Sequence, residues 1–181
     1  YDMLSAEGSI ASSGPTGYLL RDPGMPLDNL SNTLNVFLGA NVACAQCHDH
    51  PLADWTQREF YELAAFFRAT DVSDRDPRKV GNRLGSGQLS KQDVIKAVAP
   101  NMARVHTKGA QTLKFPSDYA YDDVKPGSPV EPLLFVWESG DEKGPAYQVN
   151  HKNPRTLRSS FAKWLTHEKN PRFAATIANR L

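Results

Sequence analysis

The residues whose types could do chemistry are concentrated in one short stretch, CAQCHDHP, which runs from Cys44 to Pro51. It holds both cysteines of the 181-residue chain and two of its five histidines. Cys-x-x-Cys-His is the attachment motif of c-type haem. In that chemistry two thiols bond to the vinyl groups of one porphyrin, and the next residue brings an imidazole to the iron. The motif therefore predicts thioether bonds at Cys44 and Cys47 and a proximal iron ligand at His48.

Three other interpretations of this stretch stay open. CAQC together with His48 and His50 would offer four zinc ligands, although structural zinc usually joins two ligand pairs across a longer loop. A redox dithiol normally opens a helix inside a βαβ pattern, which this sequence does not predict. The third interpretation is structural, with two buried cysteines beside incidental histidines.

Several residues outside the attachment motif would support a haem. His50 is too close in the chain to reach the opposite face of the macrocycle, so we expect it to orient the proximal imidazole or a propionate, or to be an ordinary turn residue. Trp55 and Phe60 follow the motif closely enough in the chain to pack against the apolar faces of a macrocycle. The alternative is that both belong to the hydrophobic core. For the sixth iron position the sequence slightly favours Met25, in a loop, and His106, in a strand-like stretch. If neither reaches the iron, the distal side is open.

The composition excludes few classes of protein. The chain is 40% hydrophobic and 23% charged, as expected of an ordinary globular domain. Its formal net charge is +1, so no overall field favours nucleic acid or a membrane surface as a partner. No apolar run has the roughly 20 residues of a transmembrane helix. The chain begins without Met and stops inside a helical pattern, so we expect a segment of a longer parent chain.

Two helices are predicted on either side of the motif. The first is expected from Asp28 to Cys44, where leucines recur at helical spacing, although Gly39 weakens it. The second is expected in TQREFYELAAFF, because Thr56 and Glu59 match a capping box.

The rest of the chain predicts shorter elements. Residues 70–88 are polar and glycine-rich, which is typical of a long loop. Ser90 is a candidate N-cap for a short helix, and a strand is expected around Val105. NPR occurs at Asn153 and at Asn170, and each copy offers an asparagine N-cap followed by proline at the first helical position.

These elements predict a mainly α fold, a loop-rich helical cytochrome-like module with a few short strands. Residues 1–69 would form the haem-attachment region. Residues 70–150 would form a loop-rich connecting region, and residues 151–181 a C-terminal helical pair that starts a following domain.

The stretch FLGANVACAQCHDHPLADWTQREFYELAAFF resembles the central block of the planctomycete cytochrome C-like protein family. LKFPSDYAYDDVKPGSPVEP is similar to a linker in the same proteins, and RSSFAKWLTHEKNPRFAATIANRL to the start of the planctomycete-specific domain that follows it. These proteins are large, exported and mostly of unknown function.

The resemblance implies haem c and electron transfer outside the cytoplasm, in the periplasm or the extracellular space. The expected partners are a redox protein or a neighbouring haem subunit, and the rest of the parent chain. The alternatives are a haem-dependent oxidoreductase with an open distal site and a structural zinc module. The sequence leaves open whether the protein is an enzyme and assigns no catalytic residue.

Overall fold

The computed structural model describes residues 1–22, 24–74, 90–99, 102–109, 111–136, 144 and 147–180. The helices are α1 Asp2–Ser5, α2 Gly17–Leu20, α3 Pro26–Leu38, α4 Gln57–Ala64, α5 Lys91–Val98, α6 Pro154–Leu165 and α7 Pro171–Ala178. The strands are β1 Gly8–Ser9, β2 Thr70–Asp74 and β3 Ala103–Thr107. Single 3₁₀ turns cover Gly14–Thr16, Ala43–Gln46 and Ala65–Phe67.

Helix α3 is shorter than predicted, because it ends at Leu38 and not at Cys44. Gly39 adopts a left-handed conformation with φ of 60°, which glycine reaches at little steric cost. The N–H of Gly39 then donates to the carbonyl of Asn35 at 3.1 Å and the N–H of Ala40 to the carbonyl of Leu34 at 3.2 Å, which satisfies two carbonyls of the last turns. The helix therefore ends six residues before Cys44, and the CAQCHDHP stretch forms its own turn.

Helix α4 begins as predicted. The Thr56 side chain accepts from the Glu59 N–H, and the Glu59 carboxylate accepts from the Thr56 N–H, so both halves of the capping box are present. The helix continues into the 3₁₀ turn Ala65–Phe67, whose residues are all buried. Its apolar face lies in the core, where Phe66 and Phe67 pack against Phe161 of α6 with ring centroids 5.8 and 5.1 Å apart.

The strands form one antiparallel sheet in the order β1–β3–β2. The strand expected around Val105 is β3, and Val105 is fully buried at the centre of the sheet. The turn-rich N-terminal segment of the sequence predicts irregular chain, and β1 falls there. Strand β2 falls in the predicted long loop, of which residues 75–88 lie outside the described residues. Both strands exist through pairing with a distant segment, which a local pattern does not encode.

The predicted fold class is wrong. The structure is 46% helical and 8% strand, which makes it a small, loop-rich α/β fold and not a helical cytochrome-like module. Helix still predominates, and of the three described strands only β3 was expected from the sequence. The sheet that β1 and β2 form with β3 is what changes the class.

The C-terminal helical pair is confirmed. Asn153 accepts from the Arg155 N–H, and Asn170 accepts from the N–H groups of Arg172 and Phe173. Helix α6 contributes to the same hydrophobic core as α3 and α4. None of the described helices has both the length and the apolar character that crossing a membrane requires.

Candidate functional site

The CAQCH residues form a tight turn. Ala45 is fully buried and anchors the 3₁₀ turn Ala43–Gln46. The N–H groups of Cys47 and His48 both donate to the carbonyl of Cys44, each at 3.1 Å. Cys44 lies inside the 3₁₀ turn and Cys47 caps its C-terminal end, so the two cysteines are separated by one turn of the chain. Cys44 is half-buried, Cys47 is exposed, and both are free cysteines.

The ring of His48 is oriented by the main chain. Its Nδ1 lies 2.7 Å from the carbonyl oxygen of Asp49. A carbonyl oxygen only accepts hydrogen bonds, so Nδ1 carries the proton and Nε2 keeps its lone pair. Metal-ligating histidines commonly donate their other ring N–H to such an acceptor, which fixes the tautomer. The side chain is exposed, so a ligand can reach Nε2. Two thiols three residues apart in the chain and one oriented imidazole are the donor set that covalent haem attachment and a single axial bond would use.

Four side-chain hydrogen bonds hold this turn against the rest of the protein. The Asp49 N–H donates to the hydroxyl of Tyr121 at 2.7 Å, and the Asp49 carboxylate accepts from the Gln57 N–H at 2.8 Å. The carbonyl of Gln46 accepts from the Gln57 amide at 3.3 Å and from the Tyr61 hydroxyl at 3.4 Å. The carboxylate of Asp49 therefore sits at the first turn of α4, where a negative charge is stabilised.

Two tyrosines near the turn, Tyr61 and Tyr119, have raised pKa values. Burial raises the pKa of Tyr61, and the nearby thiol of Cys47 and carboxylate of Asp118 raise it further. Burial also raises the pKa of Tyr119, with a further contribution from its hydrogen bond to Asp123. A neutral phenol can donate, so the Tyr61 bond to Gln46 persists into alkaline solution.

His50 faces a different surface from His48. Its backbone N–H donates to the Trp55 carbonyl at 2.7 Å, and its ring Nδ1 accepts from the Leu52 backbone N–H at 3.1 Å. In the neutral ring the proton is then on Nε2. His50 and Trp55 line a cleft of about 510 Å³, together with Leu38, Phe135, Trp164 and Arg172 among others. The described lining does not include Cys44, Cys47 or His48.

The other residues predicted for a haem site lie on other elements. Phe60 is 1% exposed and belongs to the core, where its ring packs edge-on against Tyr61. Met25 precedes α3 and is 52% exposed. His106 lies on β3 with its Nε2 3.1 Å from a carboxylate oxygen of Asp71. The structure thus brings together Cys44, Cys47 and His48 and leaves the sixth-ligand predictions as predictions.

A preformed zinc site is not found in the described part of the chain. No group of three or more His, Cys, Asp or Glu side chains is arranged there to hold a metal ion. The sequence interpretation missed Tyr121 and Gln57 as supports of the motif. Gln57 follows the capping threonine and offers a local signal, whereas Tyr121 lies 72 residues from Asp49 and offers none.

The site is therefore a CxxCH turn held on the first turn of a capped helix in a small α/β fold. Residues 23–72, which span α3, this turn, α4 and the start of β2, match the family PSCyt2, a planctomycete-type protein of unknown function (DUF1549). No curated protein matches the chain, and no solved structure matches it.

Proposed function

We propose that the chain is a c-type haem module that transfers electrons outside the cytoplasm, with Cys44 and Cys47 as attachment residues and His48 as proximal ligand. The observation that carries the proposal is the hydrogen bond from His48 Nδ1 to the Asp49 carbonyl. In the neutral ring this bond leaves the Nε2 lone pair for iron, directly after the two cysteines of the motif. The resemblance of the central block to planctomycete cytochrome C-like proteins supports the same assignment.

A bound haem c would supply a one-electron iron couple. The protein's own part is to hold the proximal imidazole in one tautomer and to keep the turn rigid. The Asp49 carbonyl does the first, and Tyr121 and Gln57 do the second through Asp49. A hydrogen bond from the non-ligating nitrogen of an axial imidazole raises the basicity of that imidazole and tunes the reduction potential of the iron. The electron donor or acceptor would be a redox protein or a neighbouring haem subunit in the periplasm or outside the cell.

The test is to export the chain in cells that carry a cytochrome maturation system and to measure its intact mass under denaturing conditions. Covalent haem adds the mass of one macrocycle, which survives denaturation, whereas zinc is lost. A pyridine haemochrome spectrum then reports thioether bonds. We expect the added mass in the parent chain and its absence from the Cys44→Ser/Cys47→Ser variant.

The proximal ligand is tested by a matched pair of histidine variants. His48→Gly should lose the absorption spectrum of the histidine-ligated parent, and added imidazole should restore it, while His50→Gly should keep the parent spectrum. Colourless parent protein of unmodified mass would overturn the whole proposal. A His48→Gly spectrum identical to that of the parent would overturn the ligand assignment alone.

A further inference from the structure

The cleft next to the CAQCH turn has a rigid aromatic wall. The ring of Trp55 packs edge-on against Phe135, with centroids 5.1 Å apart. Phe135 is also held through its backbone, because the indole N–H of Trp164 donates to its carbonyl at 2.9 Å. Trp164 is 1% exposed, whereas Trp55 and Phe135 are half-buried, so Trp55 is the tryptophan of the wall with ring surface left for a ligand.

Two hydrogen-bond donors border this wall. His50 uses Nδ1 to accept from Leu52, so its neutral ring offers the Nε2 proton. Arg172 lies at the start of α7 with an exposed side chain. Its guanidinium has no hydrogen-bond or ion-pair partner among the residues that the structure describes.

Two acceptors border the same wall. The carboxylate of Asp54 is exposed and has no partner in the described ranges. One carboxylate oxygen of Glu59 accepts a hydrogen bond from the Thr56 N–H in the capping box, and the other oxygen can accept from a ligand. The cleft therefore presents donors and acceptors together beside an aromatic ring.

This mixture selects a neutral, polyhydroxylated ligand. The carboxylates of Asp54 and Glu59 disfavour an anion, and the guanidinium of Arg172 disfavours a cation. A hydroxyl group both donates and accepts, so it can bond to either kind of neighbour. The cleft volume of about 510 Å³ lies in the range of small-molecule sites, and one pyranose ring would leave much of it empty. We propose that the cleft binds a short neutral oligosaccharide, with one sugar ring against Trp55.

The test is calorimetric titration of the purified chain with cellotriose and with maltotriose. We expect at least one of these trisaccharides to bind. Trp55→Ala should weaken that binding by about tenfold or more, and Trp55→Phe should restore most of it because a ring is kept. Leu52→Ala is the matched control, since Leu52 lies in the same loop, is 92% exposed and is not a described lining residue of the cleft. It should bind like the parent.

A second variant separates sugar from charged ligands. Asp54→Asn keeps a hydrogen-bonding oxygen but loses the charge, so trisaccharide binding should fall by less than about threefold. The binding of free phenylalanine, a zwitterion with an aromatic ring, is measured alongside. Tighter binding of phenylalanine than of either trisaccharide would overturn the assignment, as would the absence of trisaccharide binding at millimolar concentrations. Titrations before and after haem loading keep this result independent of the haem proposal.

Discussion

The backbone N–H of Asp49 and the hydroxyl of Tyr121 form a 2.7 Å hydrogen bond between positions 72 residues apart. Asp49 is also the residue whose carbonyl orients His48. One phenol therefore connects the linker segment that follows Phe115 to the orientation of the proposed iron ligand. Tyr121 is itself positioned by edge-on packing against Tyr119, with centroids 5.5 Å apart.

Tyr121→Phe should loosen the CAQCH turn while it keeps the ring packing. We expect the free energy of unfolding to fall by about 1 kcal/mol, the net value of one hydrogen bond, as measured by urea denaturation. The half-buried thiol of Cys44 should react faster with iodoacetamide. Tyr18→Phe is the control, because it loses the Tyr18 bond to Thr33 at 2.9 Å, outside the turn. Equal Cys44 reactivity in both variants would contradict the role of Tyr121.

Thr56→Ala should destabilise α4 at the end that holds the turn. Loss of an N-cap costs about 1 kcal/mol, and here it also displaces Gln57, which bonds to Asp49 and Gln46. Urea denaturation and Cys44 alkylation measure the two effects. Ser90→Ala removes an equivalent cap from α5 and should reduce stability without changing the alkylation rate. Faster alkylation in Ser90→Ala as well would mean that the probe reports global stability and not the turn.

Features with short-range causes were predictable from the sequence. The capping box of α4 and the asparagine caps of α6 and α7 join groups two or three residues apart, so a local pattern contains them. The pairing of β1 and β2 with β3 and the Tyr121 bond depend on partners far along the chain. The candidate ligands were named from the motif, whereas the tautomer of His48 and the separate environment of His50 needed coordinates.

Gly39→Ala should destabilise the protein through both backbone strain and a close contact. A left-handed conformation costs a non-glycine residue about 1–2 kcal/mol. A Cβ at this position would also lie 3.2 Å from the Thr176 hydroxyl oxygen of α7. Gly127→Ala is the matched control, because Gly127 has φ of 74° and open space around the new methyl group.

The two glycine variants separate strain from contact. Thermal or urea unfolding should show a larger loss for Gly39→Ala than for Gly127→Ala. In a Thr176→Ala background, Gly39→Ala should cost less stability than it does in the parent chain. The difference measures the contact, and the remaining loss measures the backbone strain. Identical losses of stability for the two glycine variants would show that Thr176 of α7 moves away from the added methyl group at no measurable cost.

Tyr119 should make the protein lose stability in alkaline solution. Its folded-state pKa is raised, first by burial and then by the hydrogen bond to Asp123. Its unfolded-state pKa is about 10, so the stabilisation is complete below pH 10. Above that pH the unfolded chain releases the phenolic proton more readily than the folded chain, and stability falls as pH rises toward the folded-state pKa. Urea denaturation between pH 8 and about pH 11 measures the slope.

Replacing Tyr119 by phenylalanine should flatten that alkaline slope, because the group that titrates differently in the two states is gone. Tyr61→Phe should flatten it as well, since burial raises the pKa of Tyr61 in the same direction. The two effects should add only in part, because both rings contact Phe115, at 5.2 Å for Tyr119 and 5.9 Å for Tyr61. An alkaline slope that stays unchanged in the Tyr119→Phe/Tyr61→Phe double variant would show that neither phenol causes it.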